Sequence, residues 1–283
     1  MKIAVTGAAG MLARALLPQL ESAGHEVKAL RRDQADVTRY PALRAAVEPF
    51  RPQWLIHLAA FTRVDDCERE VDLAFRVNGL GARNAALAAA SCGAAMLAVS
   101  SDYVFDGRGT RPYREYDAPG PLSVYGQSKW AGEQAVREVA PRHVIVRTAW
   151  LYGAGGPNFV DSILRKARHG EPLAVVDDQR GSPTWTFDLA VALVRLVEVS
   201  EFGTYHCTNS GECTWHDLAQ HVVTRARHDV PVARTTTAAL ARPAPRPAYS
   251  VLDGGWCEHV TGFRMPHWKD AVDRYLANGP SLA

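Results

Sequence analysis

Apolar and polar positions alternate along this chain in two rhythms. Ile3-Ala4-Val5 and Trp54-Leu55-Ile56 are short unbroken apolar runs, the signature of strands buried on both faces. Between such runs the apolar residues recur at helical spacing. The pattern predicts strands over residues 2–6, 26–30, 54–58, 95–100 and 143–147. It predicts helices over 11–23, 43–47, 126–139 and, as one long alanine-rich segment, 72–92. Gly24 follows the first helix as a stop, and Pro49 closes the second. Strands alternating with helices imply right-handed βαβ units and a doubly wound parallel sheet.

The alternation is regular to Trp150; beyond it strands shorten and glycine and proline become more frequent. A helix over 188–199 and a strand over 205–208 look like a return to the sheet. The Ala-Pro-Arg-rich stretch 238–247 reads as an extended loop, and 267–276 as a final amphipathic helix. The expected organisation is a dinucleotide-binding domain over 1–150, rejoined by 185–208, and a smaller C-terminal substrate-binding lobe from 151–184 and 209–283.

Composition narrows the function classes. A net charge of +2 on 283 residues gives no footprint for nucleic acid or an anionic membrane. No apolar run has the length to span a bilayer and no leader pattern precedes residue 2, so a cytoplasmic protein is expected. Five scattered cysteines argue against a disulfide framework. His206, Cys207, Cys213 and His216 lie close in sequence, but their spacing fits no common zinc pattern, and the expected metal set is none.

The turn after the first strand carries chemistry. In Thr6-Gly7-Ala8-Ala9-Gly10-Met11-Leu12-Ala13, Gly7 and Gly10 permit a tight turn and close approach to a pyrophosphate at a helix N-terminus. The spacing is G-x-x-G-x-x-A, a relative of the Rossmann dinucleotide fingerprint. After the second strand stand Arg31 and Arg32 rather than an acidic residue. Arginine suits a ribose 2′-phosphate, which favours NADPH and leaves NADH open. Asp36 and Val37 follow, near where an adenine would sit.

The catalytic candidates are Tyr125 and Lys129, four apart and so on one helix face. A tyrosine can protonate a carbonyl oxygen as hydride reaches its carbon, and a neighbouring ammonium would favour the phenolate. Ser101 and Asp102 close the fourth strand at the rim of the sheet, where doubly wound proteins bind ligands. Ser101 is placed to hydrogen-bond the substrate oxygen and orient Tyr125.

The glycine turn, Ser100-Ser101-Asp102-Tyr103-Val104-Phe105-Asp106-Gly107 and Tyr-x-x-x-Lys resemble the extended short-chain dehydrogenases, and more narrowly the dTDP-4-dehydrorhamnose reductase family. Three further segments carry the likeness: Ala59-Ala60-Phe61-Thr62-Arg63-Val64-Asp65, Asp178-Gln179-Arg180-Gly181-Ser182-Pro183-Thr184 and Arg246-Pro247-Ala248-Tyr249-Ser250-Val251-Leu252-Asp253. The resemblance runs the length of the chain. It implies reduction by NADPH of the C4 keto group of dTDP-4-dehydro-L-rhamnose, with Tyr125 as proton donor and Lys129 as its partner. It places Gly10, Met11 and Leu12 at the pyrophosphate, Ala59, Ala60 and Phe61 along the adenosine and ribose, and Val99 near the nicotinamide ribose. It places Thr62, Ser101, Asp102 and Trp150 at the deoxysugar.

The chain departs from the family in three places. Ser101 stands where threonine is usual, and the hydroxyl is kept. His57 replaces the asparagine before Leu58-Ala59-Ala60 and reads as a strand residue. Some members dimerise through magnesium held by glutamates; a homodimer is thus open, but Asp270 and Asp273 in the last helix argue against Mg2+. A related dTDP-4-keto-6-deoxyhexose reductase of a secondary-metabolite pathway would carry the same catalytic residues. A reading of another class is a non-catalytic regulator resembling the regulatory subunit of methionine adenosyltransferase. The 178–184 and 246–250 segments favour the reductase.

Overall fold

A computed structural model describes residues 1–199 and 201–278. Five of its strands follow the expected order: β1 (Lys2–Thr6), β2 (Glu26–Leu30), β3 (Trp54–His57), β4 (Ala95–Ser101) and β5 (His143–Thr148). With the strand Gly203–His206 they form one parallel sheet, in the order β2-β1-β3-β4-β5 and then Gly203–His206. This is the doubly wound Rossmann architecture. The order reverses between β1 and β3, the crevice where such sheets bind nucleotides.

The alternation of side chains in each strand explains the two layers. Ile3, Val5 and Ile56 face a core shared with Leu12, Leu16 and Leu20 of α1 (Met11–Ser22) and with the helix Thr186–Val199. Ala4 and Leu55 face the opposite core, against Leu43 and Val47 of α2 (Tyr40–Val47) and the alanines of the helix Gly81–Ser91. Parallel strands need both faces covered, and these runs are apolar on both. A third core lies between the helices Phe159–Arg168, Trp215–Arg225 and Trp268–Ala277. Among the described residues no helix is long and apolar enough to cross a membrane.

Two of the expected segments differ in kind from the sequence reading. The single helix expected over 72–92 is built from Val71–Ala74, a π-helical turn Phe75–Leu80 and Gly81–Ser91. The π turn brings Asn78 inward, where it is 2% exposed and hydrogen-bonded to a loop on the neighbouring strand. The stretch expected as an extended loop over 238–247 starts with a helical turn, Thr237–Leu240, capped by the Thr236 hydroxyl on Ala239 N. A side-chain cap outweighed the Ala-Pro-Arg composition at that point.

Candidate active site

β1 and α1 are joined through Gly7, at φ 71°. A Cβ there would stand 2.6 Å from the backbone nitrogen of Ala59, so glycine lets the loop after β3 pack on the turn. Gly10 is the N-cap of α1 and no side chain caps the helix. The first-turn N–H groups therefore stay free to receive a pyrophosphate. Gly10, Met11 and Leu12 line one end of a cavity of about 700 Å3.

Along that cavity lie Ala60, Thr62 and Val99, then Ser101, Asp102, Tyr125 and Lys129, with Trp150 on the lobe side. The fold thus brings most of the expected site residues to one cleft. Ala59 and Phe61 flank Ala60 without lining it. Arg31, Arg32 and Asp36 stand beyond the end of β2. Arg32 is exposed, with Nε 3.8 Å from Asp36, whose carboxylate accepts from the Thr38 backbone and hydroxyl. Val37 is buried, and its carbonyl accepts from Asn84 Nδ2 at 2.8 Å.

Tyr125 sits in the first turn of the helix Val124–Val139, which Ser123 caps by accepting from Gly126 N. A Cβ on Gly126 would overlap the carbonyl oxygen of Tyr103, so its absence lets the helix dock on the turn that follows β4. Tyr125 meets Tyr103 edge-on at 5.5 Å. Burial pushes the Tyr125 phenol above its usual range, with the Ser101 hydroxyl pulling the other way. Lys129 follows one turn later and donates to the Val99 carbonyl at 2.7 Å. Burial brings its ammonium down to about 8, against the pull of Glu133. The expected lowering of Tyr125 by this ammonium is thus not the leading influence here, because Lys129 is turned onto β4. Glu133 itself is buried, held by Arg147 at 2.8 and 2.9 Å and by Arg137 at 2.9 Å.

Ser101 ends β4 and caps the short turn Asp102–Val104, accepting from Tyr103 N at 3.2 Å. Its hydroxyl donates to Asp102 Oδ1 at 2.9 Å. Burial raises the Asp102 carboxyl to about 6. His57, on β3, bonds Thr6 Oγ1 through Nδ1 at 2.9 Å, and burial with the nearby Lys129 charge lowers it to about 3.

Trp150, at φ 48°, stacks on Trp215 with centroids 3.6 Å apart. Trp215 donates to Gln179, which in turn donates to Thr237. Arg246 grips Asp65 through two contacts of 3.0 and 2.9 Å, fastening the C-terminal loop to the loop after β3. Of the other histidine and cysteine positions weighed for zinc, His206 bonds the Tyr113 carbonyl and Cys207 Sγ lies 3.2 Å from Cys257 Sγ.

Sequence reasoning missed Asn78 and Trp215. Asn78 accepts from Phe61 N at 2.8 Å and donates to Phe61 O at 3.1 Å and Ser128 Oγ at 2.9 Å; Ser128 then donates to Tyr125 O. It therefore locks the 59–62 loop to the helix that carries Tyr125 and Lys129. No local pattern signals this, because the partners are 17 and 50 positions away.

Residues 1–280 match a family model described as the RmlD substrate binding domain. A dTDP-4-dehydrorhamnose reductase of Streptomyces griseus is 48% identical over 275 residues, covering 95% of this chain and 90% of the relative. A dTDP-4-keto-6-deoxy-D-glucose reductase of Streptomyces niveus is 41% identical, covering 95% and 94%. The crystal structure of dTDP-4-dehydrorhamnose reductase from Bacillus anthracis str. Ames, in complex with NADP, superimposes with a TM-score of 0.95 at 37% identity, covering 98% of this chain and 99% of that one.

Proposed function

This chain belongs to the RmlD substrate-binding-domain family, and from that premise we propose that it reduces the C4 keto group of dTDP-4-dehydro-L-rhamnose with NADPH, giving dTDP-L-rhamnose. The observation that carries the reading is a single cleft with the Gly7–Leu12 turn at one end, Ser101, Tyr125 and Lys129 in the middle and the Trp150–Trp215 stack on the lobe side. Residues 1–150 with 185–208 serve as the cofactor domain. Residues 151–184 and 209–283 serve as the substrate lobe, of which 279–283 lie outside the described residues.

The glycine cradle and the uncapped start of α1 fit a dinucleotide pyrophosphate. Met11, Leu12 and Ala60 would flank it, with Ala59 and Phe61 backing the loop. Arg31 and Arg32 would take the 2′-phosphate, with Asp36 and Val37 near the adenine. Val99 and Lys129 would hold the nicotinamide ribose. NADPH, when bound, supplies the hydride. Tyr125 donates its hydroxyl proton to the C4 oxygen, and Ser101 orients Tyr125. Thr62, Asp102 and Trp150 contact the sugar, which is held far from C4 by its nucleotide and so presented in one orientation. A cytoplasmic location suits a nucleotide-sugar substrate, and a homodimer is compatible with this arrangement.

The deciding experiment is NADPH oxidation on dTDP-4-dehydro-L-rhamnose with the product identified by NMR. Tyr125→Phe should lower kcat by at least about 100-fold while cofactor affinity is kept; full activity in that variant overturns the assignment. Repeating the assay with NADH should raise KM for the cofactor, and Arg31→Ala/Arg32→Ala should erase the difference. The Streptomyces niveus relative favours one second reading, a dTDP-4-keto-6-deoxyhexose reductase of another deoxysugar route. A product with the other C4 configuration would select it.

A further inference from the structure

Three elements of the C-terminal lobe converge on side chains that the proposed reaction does not use. Asp177 follows the strand Leu173–Val176, and His216 and Asp217 stand in the first turn of the helix Trp215–Arg225. Val232 and Arg234 come from the strand Val232–Thr235, which pairs in parallel with Leu173–Val176. One ligand atom from each of Asp177, His216 and Asp217 lies within 4.8 Å of the others. None of the three lines the cleft that holds Tyr125 and Lys129.

The histidine in this group has one nitrogen unserved. His216 is 7% exposed. Its Nε2 lies 3.0 Å from the Val232 carbonyl, which has no hydrogen to give, so Nε2 carries the proton and donates it. In the neutral ring the lone pair then sits on Nδ1. Nδ1 is buried and has no hydrogen-bond partner among the described residues. Asp217 Oδ1 stands 3.9 Å from it, too far for a hydrogen bond. A buried acceptor facing carboxylate oxygens, which are acceptors themselves, is costly to leave unmet. A cation among the three would serve them all.

We propose that Asp177, His216 and Asp217 form a binding site for a divalent transition-metal ion, with water completing the shell. One imidazole nitrogen and two carboxylate oxygens suit Zn2+ or Mn2+. The groups that would orient these ligands are already in place. The Val232 carbonyl fixes the His216 ring, the Thr214 hydroxyl donates to Asp177 Oδ1 at 2.7 Å, and Asp217 Oδ2 takes the Thr214 N–H at 3.1 Å. Asp217 Oδ1 is left for the ion, and both carboxylates are reachable from solvent. A metal held at about 2.1 Å by each ligand keeps them about 3.4 Å apart, so the three close inward by about 1 Å. Two positive features oppose the ion: the helix N-terminus, and Arg234, which pairs with Asp177 Oδ2. The Arg234 side chain is largely exposed and can swing into water, so guanidinium and metal compete for Asp177. A bound ion would tie the end of the strand Leu173–Val176 to the helix whose Trp215 stacks on Trp150.

The test takes the full chain, stripped with a chelator, and titrates it with Mn2+ while electron paramagnetic resonance reads the free ion. The parent should take up one Mn2+ per chain and show imidazole nitrogen coupling in the pulsed spectrum. Asp177→Asn and Asp217→Asn keep the side-chain shape and an oxygen for Thr214, and each should weaken binding by at least about tenfold. Arg234→Ala removes the competing charge and should tighten binding. Zn2+ should raise the thermal midpoint of the parent by a few degrees and that of Asp177→Asn by less. Uptake without nitrogen coupling, or equally tight in the parent and both asparagine variants, means an adventitious ion only and overturns the proposal. Unchanged affinity in Arg234→Ala overturns it as well. No readout uses sugar reduction, so this proposal and the reductase reading stand or fall separately.

Discussion

Lys129 shows how burial turns a residue into a pH-limited device. Its side chain is buried at the floor of the cleft, and burial brings the ammonium down to about 8, well below a free lysine. As pH rises through that value the charge is lost, and with it the hold on the nicotinamide ribose proposed above. Turnover should therefore fall above about pH 8. Lys129→Arg keeps a cation at every working pH, so its slower turnover should stay level from about pH 8 to about pH 10. A parent profile that is flat to pH 10 would refute this. At the residue scale the spacing that brings the proposed reacting groups to one cleft was legible. Tyr125 and Lys129 are four apart, and Ser101 closes a strand at the sheet rim. The direction in which Lys129 points was not legible, because the Val99 carbonyl that receives it lies 30 positions earlier.

At the element scale the segment 71–91 carries the most structural information beyond its sequence pattern. Its alanines predict helix correctly, but the π turn Phe75–Leu80 answers to a tertiary demand. Asn78 has to reach Phe61 and Ser128 together. Asn78→Ala would leave the part-buried Phe61 N–H and carbonyl without this partner, at a cost of about 1 to 2 kcal/mol. The 59–62 loop would also loosen beside Thr62. The unfolding free energy from denaturant titration should fall by about that amount and kcat/KM by about tenfold or more, since misplacement of a positioned group is amplified in rate. Normal kinetics in a destabilised variant would reduce Asn78 to a purely structural role. The helical turn Thr237–Leu240 makes a similar point. Composition read the stretch as loop, while the Thr236 cap and the contact of Thr237 with Gln179 fix a turn over the cleft.

For the whole molecule, stability at low pH follows from two enclosed histidines. Burial and the Lys129 charge lower His57 to about 3, and burial with the Arg147 charge lowers His206 to about 3. Below a pH of about 6.5 the unfolded chain takes up protons at these rings and the folded one does not. Stability should therefore be intact above that pH and fall progressively between about 6.5 and 3. His57→Asn, which removes the titrating ring and keeps a polar group near Thr6, should lessen the drop. Urea midpoints at about pH 7 and pH 5 check this: the parent should lose more than the variant, and equal losses would clear His57 of the effect.

The sequence by itself determined the layers of the sheet, the glycine turn after β1 and the placing of Tyr125 and Lys129 on one helix face. Each of these is local: a strand's period, a glycine after a strand, a four-residue helix spacing. Tertiary structure decided what these groups do to one another. It set the Asn78 clamp, the Trp150–Trp215 stack, the Asp65–Arg246 fastening and the enclosure that moves Asp102 and Lys129 toward neutral pH. Hydrogen-bond direction and desolvation depend on partners that are distant in the chain, and only packing brings those partners into contact.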